Sequence, residues 1–146
     1  DTELVRAVTL AHLKAERGPV LVLLDADDDC PAQMSERFFS VLRDALPHIE
    51  VAVVFAKREY EAWFIAAFAS LAEHCDIQPG TATPPENVEA IRGAKEWLSK
   101  HIKRKYRETI DQPAFTSIFS LADARERSPS FAKLWRDVER ILSTQL

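Results

Sequence analysis

The sequence predicts an α/β domain with a mainly parallel sheet, and three observations predict it. A continuous apolar run, Val20 to Leu24, and a largely apolar one, Ile49 to Ala56, are set between segments of helical spacing. Apolar runs that do not alternate fit strands buried on both faces of a parallel sheet. The order helix, strand, helix, strand, helix across the first half then implies parallel strands joined by right-handed crossovers.

The elements follow in order. Leu4, Val5, Val8, Leu10, Ala11 and Leu13 recur near helical spacing, so residues 3–16 read as a helix, with Thr2 as its cap and Gly18-Pro19 as its stop. The first strand is Val20 to Leu24. Met34, Phe38, Val41, Leu42 and Leu46 mark a helix over 33–46, closed by Pro47. The second strand runs from Ile49 to Ala56, and an apolar helix follows over 59–73. Pro79, Gly80, Pro84 and Pro85 make residues 76–87 a loop. Beyond it helices are expected near 88–105, 114–124 and 130–143, the last capped by Ser130. This is one domain, with an α/β part at 1–75, the loop at 76–87 and a helical part at 88–146. Two strands make a poor sheet. Because the chain starts at Asp1 and runs directly into a helix, a further strand is expected upstream of it.

Composition narrows the class. The chain has 146 residues, 47% hydrophobic and 29% charged, as in ordinary globular domains. Its longest apolar run, Ala62 to Ala69, is far short of the roughly 20 residues that cross a bilayer. Cys30 and Cys75 are too few for a disulfide framework, and no signal-peptide pattern is visible. A cytoplasmic protein without a membrane segment is expected. The four histidines are scattered, and there is no Gly-x-x-x-x-Gly-Lys phosphate loop. Trp63, Trp97, Trp135, Phe64, Phe68, Phe115 and Phe119 read as core.

The net charge of -4 conceals two opposed halves. Residues 1–91 carry 16 acids and 7 bases, and residues 92–146 carry 7 acids and 12 bases. The acids concentrate after the first strand in Asp25-Ala26-Asp27-Asp28-Asp29. In open α/β sheets ligands bind at that strand end. Asp25 and Asp27 are two apart and can point to one side as the strand runs out. Such a pair suits Mg²⁺ or Mn²⁺, which take oxygen ligands and keep positions for water and phosphate. Asp29 can join them, and Asp28 can cap the next turn. Glu59 and Glu61 follow the second strand at the same sheet edge. They do not share a helical face, so Glu59 is expected at the metal and Glu61 beside Arg58. Lys95 can stabilise charge on a phosphate. Lys100, Lys103, Arg104, Lys105 and Arg107 form a basic run able to track a nucleic-acid backbone, with Tyr106 stacking on a base.

Several stretches together resemble a known family. They are Val20 to Pro31 with its Asp-x-Asp, Ala56 to Phe64, Gly93 to Leu98, Tyr106 to Thr109, and Ser128 to Phe131. In this order they are similar to a bacterial TOPRIM-like family of unknown function, often encoded beside AAA- or ABC-type ATPases. They are also similar to the TOPRIM domain of overcoming-lysogenization-defect nucleases. The resemblance implies a Rossmann-like TOPRIM fold and a metal-dependent phosphoryl-transfer site. The aspartates would hold Mg²⁺, and a glutamate near the end of a preceding strand would act as general acid or base. Here Glu3 and Glu16 lie on or next to a helix, so that glutamate is expected upstream of Asp1. A lysine in the region of Lys95 is also implied.

The expected function is thus a metal-dependent nuclease domain. Asp25, Asp27, Glu59 and Lys95 would act in catalysis and an ATPase would be a partner in phage defence. Two alternatives stand beside it. One is a non-catalytic module that docks an ATPase. The other is a haloacid-dehalogenase-like phosphatase with Asp25 as nucleophile, although Asp29 stands where those enzymes place Thr or Val.

Overall fold

The computed structural model describes residues 2–72, 77 and 83–144. Helix α1 (Thr2–Lys14) leads to strand β1 (Val20–Asp25), helix α2 (Pro31–Ala45) and strand β2 (Val51–Ala56). Helix α3 (Ala62–Ala66) continues into a 3-10 turn at Phe68–Leu71, and a second 3-10 turn lies at Val88–Ala90. The helices α4 (Ala94–His101), α5 (Glu108–Thr116), α6 (Leu121–Arg127) and α7 (Pro129–Ser143) complete the order. No helix among the described residues is long and apolar enough to cross a membrane.

β1 and β2 pair in parallel, with Val20 opposite Val51 and Asp25 opposite Ala56. Both strands therefore end at the same edge. Alternation of side chains places Val51, Val53 and Phe55 in a core with Val8 of α1 and Leu42 of α2, while Ala56 joins the larger core on the other face. β2 is buried throughout. Its outer edge is covered by α7, where Lys133 Nζ donates to the Val53 carbonyl at 2.7 Å and Arg140 Nη2 to that of Val51 at 3.3 Å. β1 differs from the expectation of burial on both faces: Leu21 and Leu24 are 39% and 41% exposed. The reason is its outer edge, which pairs with no strand among the described residues.

The larger core lies under α3 to α7. Phe64 is fully buried, with Phe115 and Phe119 edge-to-face at 5.6 and 5.5 Å. Each such ring pair contributes about 0.5–1.5 kcal/mol beyond burial. Trp63, Phe68, Phe115 and Phe119 are buried as expected, whereas Trp97 and Trp135 pack at the margin.

The helix boundaries depart from the periodicity in physically simple ways. α1 stops at Lys14, because Glu16 and Arg17 take positive φ before Gly18. Its start is Thr2 itself, and the preceding Asp1 lies outside the described residues. The helix expected over 59–73 is interrupted at Ala67 (φ -104°). The helix expected over 88–105 covers only Ala94–His101. The helix expected over 114–124 is the end of α5 and the start of α6. Ser120 caps α6 by accepting from the Asp123 N–H at 3.2 Å. Ser128, not Ser130, caps α7, with Pro129 in its first turn. Ser130 is buried and accepts from the Trp63 indole N–H at 2.9 Å. Cys75, His74 and half of the 76–87 loop (76 and 78–82) lie outside the described residues.

Candidate active site

The two strand ends are joined beyond the sheet. The Ala26 N–H donates to the Ala56 carbonyl at 2.9 Å, and the Asp27 N–H to that of Arg58 at 3.0 Å. Asp27 and Arg58 both take positive φ, 48° and 63°, to make this antiparallel bridge. The turn brings the Tyr60 N–H to Asp25 Oδ1 at 2.8 Å. Asp25 thus faces the β2–α3 turn. Partial desolvation, together with the charges of Glu61 and Glu59, raises its pKa against the opposing pull of the Tyr60 N–H and Lys95.

The other acids of the run go elsewhere. Asp28 is exposed and pairs with Arg58 Nη1 at 2.5 Å and Arg92 Nη2 at 3.1 Å, and these partners lower its pKa. Arg58 is therefore the partner of Asp28 rather than of Glu61. Asp27 and Asp29 are exposed and bonded through their backbones, the Asp29 carbonyl accepting from Lys57 Nζ at 2.7 Å.

Glu59 and Glu61 both turn inward, although two residues apart. Glu61 lies in the turn before α3, so the helical-face rule does not separate them. Glu59 Oε2 accepts from the Ala94 N–H at 2.7 Å, at the start of α4. The capping position of α4 is Gly93, which has no side chain to offer. Gly93 sits at φ 74°, a backbone conformation that glycine takes without strain. Glu61 is fully buried. Its Oε1 accepts from the Tyr106 hydroxyl at 3.0 Å and Gln112 Nε2 at 3.2 Å, and its Oε2 has no hydrogen-bond donor.

Lys95 stands where these carboxylates meet. Its Nζ is 3.3 Å from Glu59 Oε1, 3.6 Å from Glu61 Oε2 and 3.5 Å from Glu108 Oε2. Burial disfavours the ammonium, but Glu61, Glu59 and Glu108 outweigh it and raise the Lys95 pKa, so it remains charged. Among the described residues, no three His, Cys, Asp or Glu side chains converge closely enough to hold a metal ion. The cation at the centre of this cluster is the lysine.

A family model described as "Domain of unknown function (DUF4276)" matches residues 3–139. The chain belongs to this family. No curated protein and no solved structure matches it.

In this DUF4276 domain the cluster opens on two grooves. One, of about 950 Å³, is lined by Leu24, Asp25, Tyr60, Glu108 and Gln112 among others. The second, of about 600 Å³, is lined by Lys95, Lys100, Lys105, Tyr106 and Glu108 among others. Glu108, the first residue of α5, belongs to both.

The basic run is divided by the fold. Lys100 is on α4, whereas Lys103, Arg104, Lys105 and Arg107 lie in the α4–α5 connection. Lys100, Lys103, Lys105 and Arg107 are exposed. Arg104 instead holds the buried Asp111 through two bonds of 2.7 and 2.6 Å. Tyr106 does not present its ring for stacking. It is 5% exposed, and burial and Glu61 push its hydroxyl pKa upward. Sequence reasoning assigned no role to Tyr60, Glu108, Asp111 or Gln112. Glu108 and Gln112 are four apart at the start of α5, a spacing that puts them on one helical face.

Proposed function

We propose that this DUF4276 domain is a TOPRIM-like phosphoryl-transfer domain that hydrolyses nucleic-acid phosphodiesters with Mg²⁺ or Mn²⁺. The observation that carries the reading is the buried carboxylate of Glu61, left with an unpaired oxygen within 3.6 Å of Lys95. Buried charges are paired or coordinate metals. The donor chemistry of Asp25, Glu59 and Glu61 suits a hard divalent ion. Among the described residues their side chains do not converge closely enough to hold one.

A divalent ion would have to draw Asp25, Glu59 and Glu61 closer together than they stand, and would then supply Lewis-acid stabilisation of the phosphoryl oxygens. The remaining roles belong to the chain itself. The Tyr60 N–H orients Asp25, and Tyr106 and Gln112 orient Glu61. Lys100 and Lys105, on the groove that shares Glu108 with Asp25, would receive the phosphate backbone. Asp27 and Asp29 have no side-chain bond to this set. An ATPase partner and a part in phage defence rest on the TOPRIM resemblance alone.

The test is cleavage of supercoiled plasmid and structured RNA by the full-length protein with Mg²⁺ or Mn²⁺, beside Asp25→Asn. Cleavage lost in the variant is expected. Equal activity in both proteins, or none in either, overturns the proposal.

A further inference from the structure

We infer that the cavity between the start of α2 and the first turns of α7 binds a phosphomonoester, with Lys57, Arg58, Lys133 and Arg136 as its cations and the N-terminus of α2 as a further donor. The site is separate from the Asp25 cluster, since neither Asp25 nor Glu59, Glu61, Lys95 or Glu108 lines it. It needs no metal and does not depend on the phosphodiesterase reading.

The cavity measures about 550 Å³ and collects its charge from three segments. Lys57 and Arg58 come from the β2–α3 turn and Lys133 and Arg136 from α7, while Cys30 and Pro31 bring the start of α2 to the same space. Glu89 is the one acid on this lining, and it is already engaged. Its Oε1 accepts from the Ser128 hydroxyl at 2.6 Å and the Ser130 N–H at 2.8 Å. Arg58 is paired with Asp28, and Lys133 with Asp137. The other two cations have no carboxylate partner among the described residues. Lys57 Nζ donates to the Asp29 carbonyl at 2.7 Å, and Arg136 is exposed without an ion pair.

The two helix starts at this cavity are served unequally. At α7, Ser128 accepts from the Phe131 N–H and Glu89 from the Ser130 N–H. At α2, Cys30 makes no side-chain capping bond and no acidic residue stands in the first turn. The positive end of this 15-residue helix is therefore open to an anion.

Unsatisfied donors are an independent sign. Arg58 Nε is buried and has no hydrogen-bond partner. Ser35 is 5% exposed, and its hydroxyl has none either. Ser35 lies one turn along α2 from Pro31, on a second cavity of about 350 Å³ that shares Ala32 and Lys133 with the first. Buried polar groups normally find partners. Both of these groups can donate, and both border connected cavities walled by cations. The ligand they fit is an acceptor that carries negative charge.

A phosphomonoester fits better than a carboxylate or a phosphodiester. It carries a charge of about -1.5 to -2 near neutral pH and three terminal oxygens. It can therefore meet α2, the β2–α3 turn and α7 together. A carboxylate or a diester offers one charge and two free oxygens. The second cavity gives the organic part a place, between Ser35 and Phe39, which is 40% exposed. Glu36 and Asp137 also line that cavity, so the charged end belongs in the first.

Calorimetry in EDTA tests this, with inorganic phosphate, AMP and adenosine as probes. Phosphate and AMP are expected to bind the wild-type protein and adenosine is not, and added salt should weaken AMP binding. Arg136→Gln removes an exposed cation that has no ion pair, so its circular dichroism should match wild type. It should weaken AMP binding about tenfold, the effect of losing one charge-assisted bond. Lys105→Gln probes the other cationic groove in the same way. No binding of AMP, or adenosine bound as tightly as AMP, overturns the proposal. So does binding of phosphate without AMP, which would mark a site for the free ion alone. Equal AMP affinity in Arg136→Gln and wild type, or a loss in Lys105→Gln instead, overturns the placement of the site. With no divalent ion present, each outcome is independent of whether the domain cleaves phosphodiesters.

Discussion

Glu59 accepts a hydrogen bond from the Ala94 backbone N–H at 2.7 Å, across 35 residues of sequence. A side chain of the β2–α3 turn thereby caps a helix whose own capping residue, Gly93, has no side chain to do so. The same bond places Lys95, the next residue of α4, against the carboxylates.

Glu59→Ala should therefore destabilise the fold by about 1 kcal/mol, the usual cost of a lost N-terminal cap. Glu59→Gln keeps an acceptor for the Ala94 N–H and should recover most of that loss. Urea denaturation of the three proteins checks this. Equal losses in both variants would mean that the charge on Glu59, not its cap, supports α4.

Asp25→Asn separates the cost of the site from its use. In the folded protein the Asp25 pKa is raised, first by desolvation and then by Glu61 and Glu59. The native state therefore takes up a proton at higher pH than the unfolded chain does. Stability falls as pH rises through the interval between the ordinary aspartate value and the raised one, and it stays lower above it. With no divalent ion added, Asp25→Asn should melt above wild type at neutral pH, since its amide still accepts from Tyr60. The gap should close once the pH drops below the ordinary aspartate range. Melting curves from pH 7 to pH 3 measure it, and a gap independent of pH would exclude the electrostatic cause.

The parts of this domain that are legible in the sequence are those fixed by local pattern. The apolar runs ending at Leu24 and Ala56 locate the parallel pair, and the acids after Asp25 locate its functional edge. What pattern cannot give is partnership across the chain. Glu61 reads as a turn acid until Tyr106 and Gln112 are brought 45 and 51 residues back to it. Tyr106 reads as an exposed ring in a basic run for the same reason. Arg58 and Arg104 look alike in sequence, yet one closes the strand-end loops on Asp28 and the other anchors a buried aspartate. Exposure of Leu21 and Leu24 is equally invisible, because an apolar run is the same whether or not the strand has a second neighbour.

That buried aspartate, Asp111, sets up the next prediction. It is held by Arg104 and by the Arg107 N–H at 2.5 Å, ordering the entry to α5 just ahead of Glu108 and Gln112. Burial alone would raise its pKa, but the two bonded partners prevail and lower it. The stability it contributes is present above the ordinary aspartate value and is lost as pH falls through the depressed one. Asp111→Asn should cost roughly 3 kcal/mol, the lower end for a broken buried pair, because Arg104 keeps access to water. Denaturant midpoints of wild type and Asp111→Asn at pH 7 test the magnitude. An unchanged midpoint would show that Arg104 is solvated equally well without its partner.

The exposed lysines of the basic run should act on nucleic-acid affinity without touching the fold. Lys100 and Lys105 border the groove that shares Glu108 with the Asp25 groove, and neither packs in the core. Arg104 is a poor probe, because removing it also frees Asp111. The double variant Lys100→Glu, Lys105→Glu should keep the wild-type melting temperature. Each phosphate contact removed lowers the slope of log affinity against log salt by about 0.7 for single strands and about 0.9 for duplexes. The double variant should therefore lower that slope by about 1.4–1.8, and affinity for a labelled oligonucleotide should fall most at low salt. Fluorescence anisotropy at several salt concentrations reads both quantities. A parallel slope with unchanged affinity would place the nucleic-acid path elsewhere on the domain, and a lowered melting temperature would make these lysines structural.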